Sequence, residues 1–363
     1  MAPRHVMGPD CEAARVTVPP PDGGACPEHD AVADLLAAAR LYGDFEVLPL
    51  PGGANNRVYR VNVNGTSSLL KHYFRHPNDP RDRLLAEFSF STFAWDRGLR
   101  ALPRPLACSF RHRLGLYEFV DGRPPEQGEI TGDMVGQLLD FYLELNCHRQ
   151  STGARALPVA SEACASIEQH LSCVEQRIGH LGRMDNSSAP DREAVAFVRN
   201  ELYEVWIRVR GAVVERVSDV GLTGYSWMSR EDWRLSPSDL GFHNVVMPAD
   251  GRLRLVDFEY AGWDDPARMV CDFFCQQEVP VPVEYHDLVR DSVGASVSEP
   301  SRYHQRVEIL LPVYRMKWCC ILLNDFLPEG RARRQFAGRA DHLEKRKAEQ
   351  LQKARRMLAT VER

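Results

Sequence analysis

The chain has 363 residues, of which 44% are hydrophobic and 26% are charged. This composition is that of an ordinary globular protein, and the length fits two domains or two closely packed lobes better than one compact unit. The formal net charge of -5 argues against a protein whose main partner is a nucleic acid backbone, because such a partner requires a broadly basic surface.

No apolar stretch approaches the roughly 20 residues needed to cross a bilayer. The first residues also lack the apolar run of a signal peptide. The ten cysteines form no CxxC pair and show no His/Cys spacing suited to zinc. We therefore expect a cytoplasmic protein whose cysteines are reduced.

The first third of the chain predicts a flexible tail followed by a small lobe. Residues 1–30 mix proline, glycine and charge without any period, which is typical of a tail. Residues 31–120 then predict an antiparallel meander, because short runs of β-branched and aromatic residues alternate with turn residues. The expected elements are an opening helix from Asp30, strands at 45–50, 57–63, 68–74, 106–110 and 116–120, and a helix at 81–97.

Residues 121–363 predict a mainly helical lobe, so the expected fold class is α+β with a small five-stranded antiparallel sheet before the helices. One irregular stretch at 235–262 interrupts the helical patterns. It contains the loop LSPSDLGFHN and two short strands, at 245–247 and 253–258, which are separated by the turn PADG. The predicted helices are at 131–150, 161–182, 190–217, 283–296 and 303–326, with a last one from about Asp341.

Three features of the first lobe suit the binding of a triphosphate. Gly52, Gly53 and Asn56 lie in GGANN between two predicted strands, where glycines let backbone N–H groups approach phosphate oxygens. Alone, GGANN also fits an ordinary hairpin turn. Lys71 lies in the apolar strand SSLLKHYF, where it either faces solvent or grips phosphates. Glu87, on the following helix, would hold Lys71 by an ion pair; the alternative is a solvated carboxylate.

The strongest pattern is Asp239 with Asn244 and Asp257. The spacing Asp-x-x-x-x-Asn places a carboxylate and an amide at two ends of one tight loop, so that one receives a hydroxyl proton while the other binds magnesium. Asp257 ends the apolar strand LRLVDF, where a metal ion would remove the cost of burying a carboxylate. Each residue alone also fits a turn or a strand end. Asp272 fits a structural role, with hydrogen bonds to the backbone of the catalytic loop.

These motifs resemble those of the choline kinase and aminoglycoside phosphotransferase superfamily. GGANNRVYRV resembles the GGxxNxxYxV turn, and SDLGFHNVV followed by LVDFEYAGWDDP resembles the catalytic loop and the metal-binding segment. The tetrapeptide DFEY is most similar to that of choline and ethanolamine kinases. The resemblance covers about residues 48–275 in the right order. It implies a two-lobed protein-kinase-like fold with ATP between the lobes and the acceptor on the helical lobe.

The resemblance also implies roles for individual residues. It makes Asp239 the catalytic base and Asn244 and Asp257 the ligands of Mg²⁺. It makes Lys71 and Glu87 the ion pair at the phosphates of ATP. The implied reaction is the transfer of the γ-phosphate of Mg-ATP to a hydroxyl of a small molecule.

Two further segments bear on this implication. YEFVDGR resembles the hinge between the lobes, so the main-chain groups of Glu118 and Val120 would meet the adenine. Pro237, Ser238 and Asp239 replace the His-Gly-Asp that is usual in the family. The imidazole that braces the loop is therefore missing, and Pro237 restores rigidity but not the hydrogen bond.

The acceptor is open at this stage. One hypothesis is a cage for a cationic amine, built by charge pairing and cation-π contact. The alternative is that these aromatic residues are core and the aspartates before Pro266 form a turn and a helix cap. A neutral sugar is an equally good acceptor, and an anionic one docking on the basic last helix is a further possibility. The cage residues would be Trp227, Asp232, Trp233, Glu259, Tyr260, Trp263, Asp264 and Asp265.

The sequence thus favours a phosphotransferase that uses ATP and Mg²⁺ and acts on an amino alcohol, an aminoglycoside or a sugar. The alternative is a pseudokinase or nucleotide-sensing module without turnover, which the loss of the imidazole at Pro237 would favour. A protein kinase is disfavoured, because the chain lacks a GxGxxG loop and an APE-like segment.

Overall fold

The computed structural model describes residues 26–51, 55–75, 79, 81–222, 228–338 and 342–362. A five-stranded antiparallel sheet of order β1-β2-β3-β5-β4 forms the first part of the chain, and the rest is mainly helical. The predicted fold class is therefore confirmed. The elements of the first part are α1 (His29–Ala38), β1 (Phe45–Pro49), β2 (Arg57–Val63), β3 (Thr66–His72), α2 (Arg83–Asp96), β4 (Pro105–Ser109) and β5 (Leu114–Glu118).

The alternation of β3 determines where Lys71 lies. Leu70 is fully buried in a cluster with Val61 of β2 and with Val32 and Leu35 of α1. Because neighbouring side chains of a strand point to opposite faces, Lys71 lies on the other face of the sheet. It pairs across the sheet with Val58 and Gly115 and is itself buried.

The connection after β5 runs against the second part of the chain. Arg123 and Met247 form an isolated antiparallel bridge, in which Met247 N donates to the Arg123 carbonyl oxygen at 2.7 Å. A Cβ on Gly122 would lie 2.5 Å from the carbonyl oxygen of Met247, so this close approach requires glycine. The division of the chain into a lobe at 31–120 and a lobe at 121–363 stays a prediction, and most of the predicted tail lies outside the described residues.

The second part contains ten helices among the described residues, with short strands around the irregular stretch. None of these described helices is both long and apolar enough to span a membrane. The helices are α3 (Gly132–Cys147), α4 (Thr152–Arg155), α5 (Ile167–Leu181), α6 (Ala189–Phe197), α7 (Tyr203–Asp219), α8 (Pro266–Cys275), α9 (His286–Gly294), α10 (Pro300–Leu322), α11 (Pro328–Phe336) and α12 (Leu343–Leu358); the strands are β6 (Arg234–Ser236), β7 (Val245–Val246), β8 (Arg254–Leu255) and β9 (Gly262–Asp264).

Several predicted bounds differ from the observed ones. The helix predicted at 161–182 begins only at Ile167, because the Ser166 side chain caps it by accepting from Gln169 N. A π-helical turn, Val198–Leu202, separates α6 from α7. The sequence analysis predicted no helix at α8 or α11. α8 is only ten residues long and buries the charged residues Arg268 and Asp272 together with its apolar ones, and α11 has almost no apolar residues.

The last helix, α12, is anchored by a buried ion pair as well as by apolar contacts. Leu351 and Ala354 are buried in the main core. Lys347 Nζ lies 2.8 Å from Asp191 Oδ1 of α6, and both side chains are almost fully buried. α12 therefore forms part of the folded body, although its sequence is strongly basic.

We predict that Lys347→Met lowers the free energy of unfolding by about 3 kcal/mol, because it leaves the Asp191 carboxylate buried without its cation. Urea titration followed by far-UV circular dichroism measures the loss. Lys345→Met is the matched control, since Lys345 is exposed on the same helix and should change stability by less than about 0.5 kcal/mol. Equal effects of the two substitutions would contradict the anchoring role.

Candidate active site

One ammonium group joins the sheet, α2 and the second part of the chain. Lys71 Nζ donates to Glu87 at 2.9 Å (Oε1) and 2.7 Å (Oε2), and to Asp257 Oδ1 at 2.6 Å. Burial opposes the positive charge, but the carboxylates of Asp257, Glu87 and Glu259 outweigh it and hold the pKa of Lys71 above its usual value. Lys71 is therefore a permanent cation between two carboxylates from different parts of the fold.

Two tyrosines that the sequence analysis did not single out support Glu87. Tyr73 donates from its hydroxyl to Glu87 Oε2 at 2.7 Å, and its oxygen lies 2.8 Å from that of Tyr117. Burial raises the pKa of both tyrosines well above the usual value, so Tyr73 stays a hydrogen-bond donor. The orientation of Glu87 is thus fixed from two sides. The available signal was the period-two spacing of Tyr73 from Lys71 on one strand face.

Asp257 lies two residues after the last residue of β8, in a left-handed backbone conformation with φ of 68°. This conformation ends the strand, which is why β8 is shorter than the predicted strand at 253–258. Val256 N donates to the carbonyl oxygen of Asn244 at 2.9 Å. The backbone therefore holds Asp257 beside Asn244, and the side chain of Asp257 is about one-third exposed.

His243 and Asn244, at the other end of the loop, hold Asp239 in place. Asn244 Nδ2 donates to the carbonyl oxygen of Asp239 at 2.9 Å and to its Oδ2 at 3.3 Å, and His243 Nε2 lies 3.3 Å from Oδ1. Burial acts to raise the pKa of Asp239, but the charge and hydrogen bond of His243, with the bond from Asn244, hold it below the usual value. Asp239 in turn raises the pKa of His243 against the effect of burial.

His243 is a site residue that sequence reasoning missed, although it stands next to Asn244 in the quoted motif. Gly241 allows its position: a Cβ there would lie 2.7 Å from the imidazole ring. The ring is thereby directed at the Asp239 carboxylate.

The loop is braced by Ser236 and Ser238, which lie on either side of Pro237. Ser238 has φ of 65°, a conformation that favours glycine. Its N–H donates to Ser236 Oγ at 3.0 Å, and its own Oγ accepts from Arg268 Nη2 at 3.0 Å. Asp272 binds Arg268 Nε at 3.2 Å, so it reaches the loop through Arg268 and not by the predicted hydrogen bonds to the loop backbone.

The predicted phosphate turn is only partly described, since Gly52 and Gly53 lie outside the described residues. Asn56 is buried, donates to Glu259 Oε2 at 2.6 Å and accepts from Phe74 N at 3.1 Å. Asn55 donates to the other oxygen, Glu259 Oε1, at 2.7 Å. The side chain of Asn56 therefore ties the turn to the segment after Asp257.

The backbone groups of the two predicted hinge residues, Glu118 and Val120, differ in their hydrogen bonds. Glu118 N donates to the carbonyl oxygen of Arg104 at 2.8 Å, and Glu118 Oε2 accepts from Arg104 N. An adenine contact by Glu118 would therefore have to use its carbonyl. Val120 N–H donates to no protein group in the described part of the chain, which leaves it available to a ligand.

Asp239 opens onto a cavity of about 270 Å³. Ser238, Asp239 and His243 form one wall, and residues of α10, α11 and α12 form the opposite side. Lys71 and Asp257 are not among the described residues that line it. The Asp239 carboxylate thus stands between this cavity and the Lys71 cluster, where it can receive a proton from a molecule bound in the cavity.

A family model described as "Phosphotransferase enzyme family" (APH) matches residues 46–287. The chain belongs to the phosphotransferase enzyme family. The resemblance noted in the sequence is thereby confirmed, and the chain is a transferase of the kinase type. No curated protein matches it in a sequence search.

Solved structures with the same fold include three informative relatives of this phosphotransferase. Spectinomycin phosphotransferase APH(9)-Ia, solved with ADP and spectinomycin, has a TM-score of 0.57 and 13% identity, with coverage of 91% of this chain and 98% of that one. Choline kinase LicA of Streptococcus pneumoniae has a TM-score of 0.55 and 14% identity, with coverage of 92% and 100%. APH(2″)-IIa, solved with streptomycin and ATP, has a TM-score of 0.52 and 13% identity, with coverage of 85% and 98%.

The cation cage considered for this phosphotransferase is not formed by the described residues. Asp264 lies 3.0 Å from Arg268 Nη1, and Asp265 accepts from Ala267 N at 2.8 Å as the cap of α8. Glu259 is occupied by the two asparagines of the turn. Of the proposed cage residues, Tyr260 lines the cavity and Trp227 lies outside the described residues. The carboxylates are therefore structural, as the alternative interpretation held.

The donor set of Asn244 and Asp257 fits magnesium. Among the described residues, no group of three or more His, Cys, Asp or Glu side chains could hold a metal ion. The amide nitrogen of Asn244 donates to the carbonyl oxygen of Asp239, so the amide oxygen, Oδ1, is directed away from that carbonyl. Two oxygen ligands suit Mg²⁺, which usually keeps waters and substrate phosphates as its remaining ligands.

We predict that His243→Gln moves the acidic limb of the pH profile of kcat/KM to higher pH. His243 lowers the pKa of Asp239, so the Asp239 carboxylate of the wild type stays ionised at a pH where an ordinary carboxyl begins to be protonated; glutamine keeps a donor but loses the charge. Steady-state rates between about pH 3 and pH 8 measure the limb. An unchanged limb, or one displaced to lower pH, would exclude this role of His243.

Proposed function

We propose that this phosphotransferase is an ATP- and magnesium-dependent kinase of a small hydroxylated molecule. One observation carries the proposal: a continuous series of contacts runs from Asp239 at the cavity, through Asn244 and Asp257, to Lys71 of the sheet. The residues that we propose as base, metal ligands and phosphate-binding cation lie in the order in which acceptor, metal and triphosphate would be arranged. The nucleotides bound to APH(9)-Ia and APH(2″)-IIa, and their small-molecule acceptors, support this assignment.

The first lobe, residues 31–120, would bind the nucleotide. Lys71 would hold the α- and β-phosphates, with Glu87 fixing the position of its ammonium. The N–H of Val120 and the carbonyl of Glu118 would meet the adenine. The turn that contains Gly52 and Gly53 would cover the phosphates.

Asn244 and Asp257 would hold the metal ion. Mg²⁺ bound there would neutralise charge on the phosphate oxygens as the phosphoryl group moves. Asp257 now accepts from Lys71, so nucleotide binding requires Lys71 to exchange this carboxylate for phosphate oxygens. Glu87 and Tyr73 would keep Lys71 in place during the exchange.

Asp239 would act on the acceptor. Its carboxylate faces the cavity, where it orients the acceptor hydroxyl and receives its proton as the new O–P bond forms and the bond from the γ-phosphorus to ADP breaks. His243 keeps Asp239 ionised, and Asn244 fixes the direction of its carboxylate. The helical lobe, residues 121–363, would thus supply both the base and the acceptor site.

A nucleotide-binding module without turnover is the alternative that Pro237 motivated. The contacts of the loop favour catalysis instead. Ser238 is held by Arg268, and Asp239 N donates to the carbonyl oxygen of Pro237 at 2.8 Å, so the loop is braced without an imidazole at 237. Asp239 is also partly exposed to the cavity and is therefore available to a substrate.

We predict that Asp239→Asn lowers kcat by about 10²- to 10⁴-fold, since the amide cannot accept the hydroxyl proton. Affinity for Mg-ATP should stay within about threefold, because Asp239 does not belong to the Lys71 cluster. ADP release with a panel of hydroxylated acceptors and calorimetry with Mg-ATP measure the two quantities.

Asp140→Asn is the control for this experiment, because Asp140 is an exposed aspartate of α3. It should leave both quantities unchanged. Binding of Mg-ATP without any acceptor-dependent ADP release by the wild-type protein would support the nucleotide-binding module. Full turnover by Asp239→Asn would exclude Asp239 as the base.

A further inference from the structure

The cavity beside Asp239 is lined by more basic than acidic side chains. The acidic ones are mostly neutralised within the protein. Glu162 accepts two hydrogen bonds from Arg177. Asp272 lies between Arg268 and Lys317, at 3.2 Å from each. These pairs leave little negative charge on the wall that could attract a cationic acceptor.

The third acidic group, Asp325, has two cations as partners. Its Oδ1 lies 3.1 Å from Arg334 Nε, and its Oδ2 lies 2.9 Å from Arg346 Nε. Its surroundings are therefore positive overall. Glu278 is exposed at the rim, and Asp239 is the carboxylate that the proposed reaction uses.

Arg333 of α11 is a cation without a carboxylate partner among the described residues. Within the described part of the chain, its one hydrogen bond runs from Nη1 to Asn55 Oδ1, at 3.5 Å. Burial, together with the nearby guanidinium groups of Arg81, Arg83 and Arg334, lowers the pKa of Arg333. A half-buried charge in such surroundings is destabilising, and an anion bound beside it would remove that penalty.

Lys353 of α12 also lines the cavity, is half-buried, and forms no ion pair in the described part of the chain. Gly330 brings α11 into place: a Cβ there would overlap the carbonyl oxygen of Asn324. The close contact of α11 with the turn after α10 thus places Arg333 on the cavity wall. Arg333 and Lys353, which have no carboxylate partner among the described residues, therefore line the same cavity as Asp239.

We propose that the acceptor is a small alcohol that carries an oxyanion group, a carboxylate or a phosphate monoester, which Arg333 and Lys353 bind while Asp239 meets the hydroxyl. The inference rests on the proposed kinase function and specifies its substrate class. Guanidinium and ammonium groups form charge-assisted hydrogen bonds to both kinds of oxyanion. A cavity of about 270 Å³ suits a molecule of monosaccharide size or smaller.

Matched acceptors test the charge preference. Glucose, glucosamine, gluconate and glucose 6-phosphate form one set; glycerol, ethanolamine, glycerate and glycerol 3-phosphate form another. Acceptor-dependent ADP release should give a kcat/KM at least about tenfold higher for an anionic member than for the neutral and cationic members of its set. A neutral or cationic member that is the best acceptor in both sets would overturn the proposal.

Arg333→Gln and Lys353→Gln test the two residues with the best anionic acceptor. Each should raise the KM for that acceptor at least about tenfold and leave the KM for ATP unchanged. Arg331→Gln and Lys345→Gln are the controls, because both side chains belong to the same helices but do not line the cavity. A raised KM for ATP in Arg333→Gln would assign the residue to the nucleotide and overturn the proposal.

A binding experiment separates this inference from the proposed catalysis. Inorganic phosphate, gluconate and glucose 6-phosphate should each raise the Tm of the wild-type protein more than glucose does, and the difference should vanish in the double variant Arg333→Gln/Lys353→Gln. The measurement needs no turnover, so it holds even for an inactive protein. If each of the three anions raised the Tm of the wild type and of the double variant by the same amount, the anion site would be overturned. The proposed kinase activity would not be affected by that result.

Discussion

The arrangement of the site depends on the ammonium group of Lys71. Glu87 from α2 and Asp257 from the second part of the chain approach it from different elements, and neither carboxylate has another buried cation as its hydrogen-bond partner among the described residues. A buried ion of this kind is stable only when its partners are fixed in position. The tyrosine hydroxyl on Glu87 and the backbone bond between Val256 and Asn244 supply that fixation. The cluster thus places the sheet relative to the catalytic loop.

This dependence connects the fold to phosphoryl transfer. The protein supplies little covalent chemistry in such a reaction and acts mainly by positioning and by charge. The Asn55 and Asn56 bonds to Glu259 add a second link between the phosphate turn and the segment after Asp257. Both links cross the cleft where the nucleotide is proposed to bind.

Much of the fold and of this cluster was predictable from sequence. The alternating pattern of the strands and the turn residues predicted the five-stranded sheet. An ion pair of Lys71 with Glu87 was one of the interpretations of the sequence, and a solvent-facing lysine was the other. The role of His243 was not predictable from its own position. Its function depends on Gly241 and on the direction of a ring, which spacing alone does not reveal. Of the two interpretations of the acidic and aromatic residues, the structure favours the structural one, because acidic residues near aromatic ones also pair with buried arginines such as Arg268.

The acceptor side was harder to predict for a physical reason. Arg333 belongs to α11, whose sequence has almost no apolar residues, and Lys353 belongs to a helix whose basic face suggested solvent exposure. Only the three-dimensional arrangement shows which charges are paired. The sequence gives the number of charged groups. The charge that a ligand meets in the cavity depends on which of these groups lack an ion-pair partner.

The most direct test of the central claim is a crystal structure with Mg²⁺ and a non-hydrolysable ATP analogue. It should show Lys71 Nζ on phosphate oxygens with Glu87 retained, and Mg²⁺ bound by Asp257 and Asn244 Oδ1 on the side of the nucleotide that faces Asp239. A nucleotide bound with Lys71 still paired to Asp257, or a metal ion held by other residues, would contradict it.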